Sequence, residues 1–265
     1  MDLALKNKSI VVTGGASNIG RAITLGFAAE GAKIALGDVD MEQAHVVAAD
    51  AEKAGADVIK VIECDVTQME QVQSLFAQAV DQYGTVDVLV NCVGWDELKF
   101  FKQTTPELWQ KIIQINYIGI LNCTYTALET MVPKGSGAIV SISSDASRQG
   151  EPREAVYGGI KAGINSFMKT IAKEHGRDGI RCNVVCPGVT IPEDKSEVGA
   201  NSLWADMDSM FTPEQLEKIA RALPLKKLGR PRDVANAVLF LSSNAVAGHV
   251  TGQVLSVSGG YTMIG

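Results

Sequence analysis

Short runs of apolar, often β-branched residues alternate along this chain with longer segments whose apolar residues recur at helical spacing. The runs lie at residues 9–13, 33–38, 58–62, 86–90, 137–142, 180–185 and 252–257. The helical patterns between them include residues 41–54, 69–83 and 106–131. Alternation of this kind predicts a parallel sheet with helices packed on both of its faces. We therefore expect an α/β fold built on a single doubly wound sheet.

The composition and charge of the chain exclude several other classes of protein. A chain of 265 residues with 46% hydrophobic residues can bury one large core, so we expect residues 1–265 to form one domain. The net charge of −6 and the lack of a basic run argue against a nucleic-acid partner. The chain has neither an N-terminal leader pattern nor an apolar run of about 18 residues. No membrane contact is expected, and a cytoplasmic location is predicted.

Cysteine and histidine usage points away from metal and disulfide chemistry. The five cysteines form no Cys-x-x-Cys pair and stand in apolar contexts, which is typical of free thiols in a reducing compartment. The three histidines are scattered along the chain, so no metal site is expected.

A glycine-rich turn joins the first predicted strand to the first predicted helix. Glycine permits a tight turn and lets the backbone approach a pyrophosphate, which the helix N-terminus attracts. The second predicted strand ends at Asp38, where a carboxylate binds the ribose hydroxyls of NAD and repels the phosphate of NADP. A glycine-rich turn alone is also typical of ordinary loops, but with Asp38 in place NAD is the predicted cofactor. The predicted contacts from the turn are Gly14, Ser17, Asn18, Ile19 and Gly20.

A hydroxyl, a phenol and an ammonium follow the fifth predicted strand at Ser144, Tyr157 and Lys161. Tyr157 and Lys161 are i and i+4, so a helix places them on one face with Cβ atoms about 6 Å apart. A free phenol has a pKa of about 10, and lowering it by about 3 units requires about 4 kcal/mol. A positive charge about 4 Å away supplies that much at an effective dielectric of about 20. The set suits proton transfer at an alcohol or carbonyl, although a lone Tyr-x-x-x-Lys pair is also common on ordinary amphipathic helices.

These motifs resemble the short-chain dehydrogenase/reductase family over essentially the whole chain. The resemblance implies a Rossmann-type fold and an NAD-dependent oxidoreductase that interconverts a secondary alcohol and a ketone. Asn18 stands where the family usually has its middle glycine, and Asn tolerates positive φ better than other non-glycine residues. The catalytic tetrad of the family matches Asn116, Ser144, Tyr157 and Lys161. Further cofactor contacts match Asp65, Val66, Asn91, Gly94, Tyr157, Lys161, Pro187, Gly188 and, two residues before the usual position, Thr190.

Roles within the tetrad also follow from the resemblance. Tyr157 is the expected general base in oxidation, and Lys161 lowers its pKa and holds the ribose. Ser144 orients the substrate oxygen, and Asn116 helps to hold a water that links Lys161 to solvent.

The substrate and the assembly are expected by resemblance to one branch of the family. The stretches 94–96, 144–148 and 251–260 are similar to members that act on a bulky or cyclic hydroxyacyl-CoA in the degradation of aromatic or alicyclic acids. They imply a small-molecule substrate beneath a lid at about 190–223. The residues expected to contact that substrate are Trp95, Ser144, Arg148 and Tyr157. A homotetramer packed through the Tyr157 helix is the expected assembly.

Two alternatives stay open. One is a non-catalytic NAD-binding subunit in a hetero-oligomer with an active homologue, which the intact tetrad argues against. The other is an NADP-dependent 3-oxoacyl reductase, which Asp38 argues against.

Overall fold

The computed structural model describes residues 2–56, 58–199, 202, 204–205 and 211–263. The strands within these residues are β1 (Ser9–Thr13), β2 (Lys33–Asp38), β3 (Val58–Glu63), β4 (Val88–Asn91), β5 (Gly137–Ile142), β6 (Ile180–Pro187) and β7 (Val254–Val257). They form one parallel sheet in the order β3-β2-β1-β4-β5-β6-β7. The order reverses between β1 and β4, where ligands of such sheets bind in a crevice outside the carboxyl ends. The predicted doubly wound, Rossmann-type fold is confirmed.

Helices connect successive strands and cover the sheet. They are α1 (Asn18–Ala29), α2 (Met41–Ala54), α3 (Met69–Tyr83), α4 (Pro106–Ile113), α5 (Gly119–Lys134), α6 (Ala146–Gln149) and α7 (Ala155–His175), followed by Pro213–Ala222, Pro231–Ser242 and Asn244–Ala247. Short 3₁₀ turns cover Phe101–Gln103, Gly176–Asp178 and Lys195–Glu197. Among the described residues, none of the helices combines the length and apolar character that a membrane crossing needs.

Two hydrophobic clusters fill the spaces on the two faces of the sheet. Side chains alternate along a strand, so Ile10 and Val12 of β1 join one cluster and Val11 joins the other. Phe27 of α1 packs in the first cluster, and Leu75 of α3 packs in the second. The central strands β1, β4 and β6 are therefore buried on both sides, and their carboxyl ends are held in place for a binding site.

The pattern predicted as helical over residues 106–131 is not one continuous helix. A π-helical turn (Gln114–Ile118) separates α4 from α5. Within it, the fully buried Asn116 donates from Nδ2 to the main-chain oxygen of Ile112 at 2.9 Å. Apolar spacing did not predict this turn, because the inserted residue is fixed by polar contacts of Asn116.

Three strand boundaries differ from the predicted ones by two residues. β4 begins two residues later, because the main-chain oxygen of Val86 accepts from Lys134 Nζ at 2.6 Å. β6 continues to Pro187, whose missing N–H is tolerated at the last position of a strand. β7 also begins two residues later than predicted, because Gly252 has a φ of 69° and cannot continue an extended strand.

Candidate active site

The residues singled out in the sequence meet at the carboxyl edge of the sheet, where the strand order reverses. Gly14 follows β1, Asn91 ends β4, Ser144 follows β5 and Pro187 ends β6. Tyr157 lies in the first turn of α7. One edge of the sheet thus carries both the predicted cofactor contacts and the predicted tetrad.

The turn between β1 and α1 brings the backbone at Gly20 so close to that at Gly14 that no side chain fits at residue 20. A Cβ atom added to Gly20 would lie 1.8 Å from the main-chain oxygen of Gly14, which itself has a φ of 69°. Asn18 has a φ of 46°, as expected for a residue in the place of a glycine. Ser17 Oγ accepts from the main-chain N–H of Gly199 at 3.3 Å. The turn therefore presents bare backbone at the N-terminus of α1, which fits a pyrophosphate.

Ile19 lies in the first turn of α1 and is half-buried against the hydrophobic cluster beneath that helix. It therefore anchors the start of α1 to the sheet. The prediction that Ile19 also contacts the cofactor stays a prediction.

Asp38 at the end of β2 is tied to the same turn. Its Oδ2 accepts from the main-chain N–H of Ala16 at 3.0 Å, and its Oδ1 accepts from that of Asp40 at 3.1 Å. Burial raises the pKa of Asp38, and these backbone donors oppose the effect. The carboxylate is thus fixed beside the glycine turn, where it fits the ribose of a dinucleotide.

The predicted contacts after β3 lie on the neighbouring strand end. The Asp65 carboxylate accepts from the main-chain N–H of Thr67 at 2.9 Å. Val66 is buried against α5, where a Cβ atom added to Gly119 would lie 2.5 Å from its Cγ2. These contacts fix the chain beside the crevice, and the predicted adenine contact of Asp65 and Val66 stays a prediction.

Asn91 is a buried polar residue between two strands and a helix. Its Nδ2 donates to Ser141 Oγ at 3.1 Å and lies 3.4 Å from Thr124 Oγ1. Its Oδ1 is buried and has no hydrogen-bond partner among the described residues. Asn91 therefore holds the end of β4 and keeps one acceptor free.

Pro187, Gly188 and Thr190 form the loop that leaves β6. The Gly188 N–H donates to the main-chain oxygen of Val257 at 3.2 Å, so the loop stays attached to β7. The buried Thr190 Oγ1 donates to the main-chain oxygen of Gly188 at 3.0 Å. That hydroxyl can still accept a hydrogen bond, as the amide group of a nicotinamide would require. The assignment of these three residues to the cofactor remains a prediction.

Lys161 is buried between α7 and the end of β5. Its Nζ donates to the main-chain oxygen of Ile142 at 3.0 Å and lies 5.3 Å from the ring centroid of Tyr157. Burial lowers the pKa of Lys161 to about 8. A Cβ atom added to Gly94 would lie 3.4 Å from this Nζ and 3.3 Å from Asn116 Oδ1, so the loop after β4 lies directly against the ammonium.

The pKa of Tyr157 departs from the expected direction. The sequence predicts that Lys161 lowers it, but burial raises it above the ordinary value in the structure. The ammonium is directed to Ile142 instead of the phenol oxygen, and nearby carboxyl groups add to the increase. Tyr157 and Lys161 both lie on α7 as predicted, whereas the pKa of Tyr157 is raised and not lowered.

Ser144 and Asn116 complete the predicted tetrad. Ser144 Oγ accepts from the main-chain N–H of Ala146 at 3.1 Å, which leaves its proton available for another acceptor. Asn116 exchanges two hydrogen bonds with the backbone of Trp95, donating to its oxygen at 2.7 Å and accepting from its N–H at 3.2 Å. Asn116 thus holds the loop after β4 against the site.

Comparison with known proteins assigns the chain to a family. A family model described as enoyl-(acyl carrier protein) reductase matches residues 14–262. A 3α-hydroxysteroid dehydrogenase of Mediterraneibacter gnavus is 33% identical to this chain over 98% of both chains. The chain belongs to the short-chain dehydrogenase/reductase family. This dehydrogenase/reductase is therefore an oxidoreductase that acts on CH–OH groups.

Two further relatives of this dehydrogenase/reductase differ in substrate. A 3-oxoacyl-[acyl-carrier-protein] reductase of Thermotoga maritima is 32% identical over 97% of this chain and 99% of its own. A solved structure of 7α-hydroxysteroid dehydrogenase with NADH and 7-oxo glycochenodeoxycholic acid superposes with a TM-score of 0.87. It is 29% identical and covers 98% of this chain and 96% of that one. Family membership thus leaves the substrate open.

The predicted substrate residues Trp95 and Arg148 contact different parts of the structure. Trp95 is half-buried beside Asn116, and Lys111 Nζ lies 3.6 Å from its ring centroid. Arg148 Nη1 donates to the main-chain oxygen of Val254 at 2.9 Å. Val254 pairs with Val184 of β6, which is in register with Ser141 and Asn91, so that contact lies level with the strand ends that border the site. Trp95 thus lies beside Asn116 of the tetrad, and the predicted substrate contacts of Trp95 and Arg148 stay predictions.

Sequence reasoning gave no role to two acidic residues of this dehydrogenase/reductase. Asp96 is 5% exposed, and burial raises its pKa to about 6. Glu154 is half-buried, and burial raises its pKa to about 7. The sequence did contain signals for both residues. Asp96 stands two residues after Gly94, and Glu154 stands about one helical turn before Tyr157. Within the described residues, no group of three His, Cys, Asp or Glu side chains is placed to hold a metal ion.

Proposed function

We propose that this protein is an NAD-dependent dehydrogenase/reductase that interconverts a secondary alcohol and a ketone on a bulky or cyclic carbon skeleton. The observation that supports NAD is the carboxylate of Asp38, fixed at 3.0 Å to the N–H of Ala16 in the glycine turn. A 2′-phosphate would lie against that carboxylate, and neither Val39 nor Asp40 supplies a cation to receive it. Bound NAD supplies the hydride acceptor for oxidation.

The side chains of the tetrad move and orient the proton of the reaction. Tyr157 accepts the hydroxyl proton of the alcohol as the carbonyl forms and returns it when the ketone is reduced. Lys161 places a buried ammonium 5.3 Å from the ring centroid of Tyr157, and this positive charge opposes the burial that raises the pKa of the phenol. Ser144 donates a hydrogen bond from its hydroxyl group to the substrate oxygen. Asn116 keeps the loop at Trp95 in place, which sets one wall of the site.

The names of the relatives support a bulky substrate. One relative is a hydroxysteroid dehydrogenase and another a 3-oxoacyl-[acyl-carrier-protein] reductase. The half-buried ring of Trp95 offers an apolar surface beside the tetrad. A cyclic hydroxyacyl-CoA such as 2-hydroxycyclohexanecarboxyl-CoA combines a ring with a thioester, and it is our candidate within this class.

We assign the CoA end of that candidate to a groove beside the segment after β6. The groove is about 540 Å³ in volume and is lined by Ile191, Leu216 and Lys227 among others. Lys227 could meet a CoA phosphate there. Arg230, on the same rim, is paired with Glu193 at 2.8 Å.

We also propose that residues 190–223 cover the bound ligands, as the sequence predicts. Gln43 Nε2 donates to the main-chain oxygen of Ser196 at 3.1 Å, and Gly199 N–H reaches Ser17 Oγ. These contacts attach the segment to the cofactor side of the crevice. Residues 200, 201, 203 and 206–210 of the predicted lid lie outside the described residues. The homotetramer and the cytoplasmic location stay predictions from the sequence.

NAD-linked oxidation of 2-hydroxycyclohexanecarboxyl-CoA and of cyclohexanol tests both parts of the proposal. Remote binding energy should give the CoA ester a kcat/KM about 100-fold higher. Its KM should rise with salt, because phosphate contacts at a rim are screened. Equal efficiency without salt dependence would remove CoA from the substrate. Turnover of neither alcohol, nor of a hydroxysteroid, would contradict the dehydrogenase activity proposed for this site.

A 3-oxoacyl reductase is the second candidate, because several of the relatives carry that name. Reduction of a 3-oxoacyl thioester with NADPH distinguishes it. Faster reduction with NADPH than with NADH would favour that candidate and would contradict the role given to Asp38. The non-catalytic subunit expected as an alternative would show no turnover with either cofactor.

A further inference from the structure

Two carboxyl groups lie near the phenol of Tyr157 and take no part in the proton transfer described above. Asp96 is in the loop after β4, and Glu154 immediately precedes α7. Glu154 is three residues before Tyr157, so about one helical turn brings the two side chains to one face. Negative charge on either carboxyl raises the pKa of Tyr157. A Cβ atom added to Gly94, two residues before Asp96, would lie 3.4 Å from Lys161 Nζ, so the loop that carries Asp96 borders the site together with Glu154.

Main-chain contacts hold the two carboxyl-bearing segments together. The Lys99 N–H donates to the main-chain oxygen of Arg153 at 3.1 Å, and Arg153 Nη2 donates to that of Leu98 at 2.9 Å. Arg153 has a φ of 76°, which is a costly conformation for a residue other than glycine. The fold thus maintains a strained segment that places Glu154 beside Asp96.

The surroundings of Asp96 leave part of its carboxyl without a partner. The main-chain N–H of Glu97 opposes the rise in the pKa of this carboxyl, whereas the buried Oδ2 has no hydrogen-bond partner among the described residues. The ammonium of Lys161 also faces this carboxyl, but its Nζ donates to Ile142. Unpaired buried acceptors are costly, and they occur preferentially where a ligand binds.

We infer that Asp96 and Glu154 form a carboxyl pair that sets substrate specificity, admitting an uncharged group next to the reacting carbon and rejecting a carboxylate there. The inference rests on the proposed function and narrows its substrate class to esters, thioesters and uncharged ring alcohols. A substrate carboxylate would be a third acidic group in a poorly solvated site, where like charges repel strongly. A hydroxyacyl-CoA meets the requirement, because its thioester is uncharged.

Substitution by the matching amide separates this role from a structural one. Asp96→Asn retains an oxygen that can accept from the Glu97 N–H, so the turn is kept while the charge is removed. Glu154→Gln does the same one turn before Tyr157. Glu97→Gln is the matched control, because it removes an exposed carboxyl from the same loop.

Catalytic discrimination is measured with 2-hydroxycyclohexanecarboxylate and its methyl ester, both oxidised with NAD. The wild-type protein should prefer the ester by at least about tenfold in kcat/KM. Asp96→Asn and Glu154→Gln should each reduce the ester-to-acid ratio, and the double variant should bring it near unity. Glu97→Gln should leave the ratio unchanged. A wild-type preference for the acid, or a ratio that both amide variants leave unaltered, would overturn the inference.

Binding gives a second measurement that needs no turnover. Cyclohexanecarboxamide and cyclohexanecarboxylate are titrated into the protein saturated with NADH, and bound NADH fluorescence is recorded. The amide should bind at least about tenfold more tightly to the wild type, and Asp96→Asn should narrow the difference. Equal affinities, or failure of the amide to bind, would contradict the carboxyl pair. If the amide binds selectively but no alcohol is oxidised, the proposed function fails and the carboxyl pair stands.

Discussion

Lys161 and Ile142 are joined by a hydrogen bond of 3.0 Å from the buried Nζ of one to the main-chain oxygen of the other. This bond ties α7 to the end of β5, two residues before Ser144. The positions of the hydroxyl, the phenol and the ammonium are therefore fixed by a contact between a helix and a strand. Because the ammonium is held in place before substrate arrives, little ordering is left for the reaction itself.

Tyr157→Phe should reduce turnover by about 10²–10⁴-fold and leave NAD affinity nearly unchanged. The substitution keeps the ring and removes only the hydroxyl that transfers the proton. Steady-state kinetics and calorimetric titration of NAD measure the two effects. Tyr125→Phe is the control, because Tyr125 is 58% exposed on α5 and should affect neither quantity. Near-normal turnover of Tyr157→Phe would remove the phenol from the mechanism.

Asp38 should make NAD bind at least tenfold more tightly than NADP, which corresponds to about 1.4 kcal/mol. Asp38→Asn should weaken NAD binding and reduce the preference for NAD over NADP, because the charge that repels the 2′-phosphate is lost. Calorimetric titration of both cofactors measures this. Glu42→Gln removes a nearby exposed carboxyl from the first turn of α2 and should leave the ratio unchanged. Equal affinities in the wild type would contradict the role of Asp38.

Asn18 occupies a left-handed position that glycine adopts more easily. Asn18→Gly should keep NAD binding and nearly full stability, since the φ of 46° costs glycine little. Asn18→Ala should lower the free energy of unfolding by about 1 kcal/mol, because alanine is strained there. Urea unfolding of both variants decides the point. Alanine and glycine variants of equal stability would show that the backbone conformation is unimportant.

Local patterns predicted the parts of the site that lie next to strand ends. The glycine turn, Asp38 and the Tyr157 face of α7 each depend on a few neighbouring residues, and the structure places all of them at one edge of the sheet. Contacts between distant residues escaped prediction. The π-helical turn depends on Asn116 bonding to Trp95, which lies twenty-one residues away.

Local sequence patterns also did not predict where the charged side chains of the site lie or how burial changes their pKa values. Arg153 bonds to Leu98 and Lys99, and these contacts join the segment that carries Glu154 to the loop that carries Asp96. Arg148 is expected from the sequence to contact the substrate, and the sequence did not predict that its Nη1 donates to the main-chain oxygen of Val254. The direction of a long side chain, and the burial that raises a pKa, follow from packing that no single segment determines.

Asp96→Asn should stabilise the protein at neutral and alkaline pH. Burial raises the folded-state pKa of Asp96 to about 6, above its ordinary value of 3.8. The folded state therefore holds the proton more tightly, and its stability falls as pH rises from about 4 through 6. Removing the charge should add about 3 kcal/mol to the free energy of unfolding at pH 8, and the gain should vanish near pH 4.

Urea unfolding of the wild type and the variant at several pH values between 4 and 8 measures this gain. Glu97→Gln serves as the control, because that exposed carboxyl is paired with Lys99 at the surface. Exposed ion pairs contribute little to stability, so the control should differ from the wild type by less than about 0.5 kcal/mol at every pH. A gain from Asp96→Asn that is the same at pH 4.5 and pH 8 would show that the charge of Asp96 is not the cause.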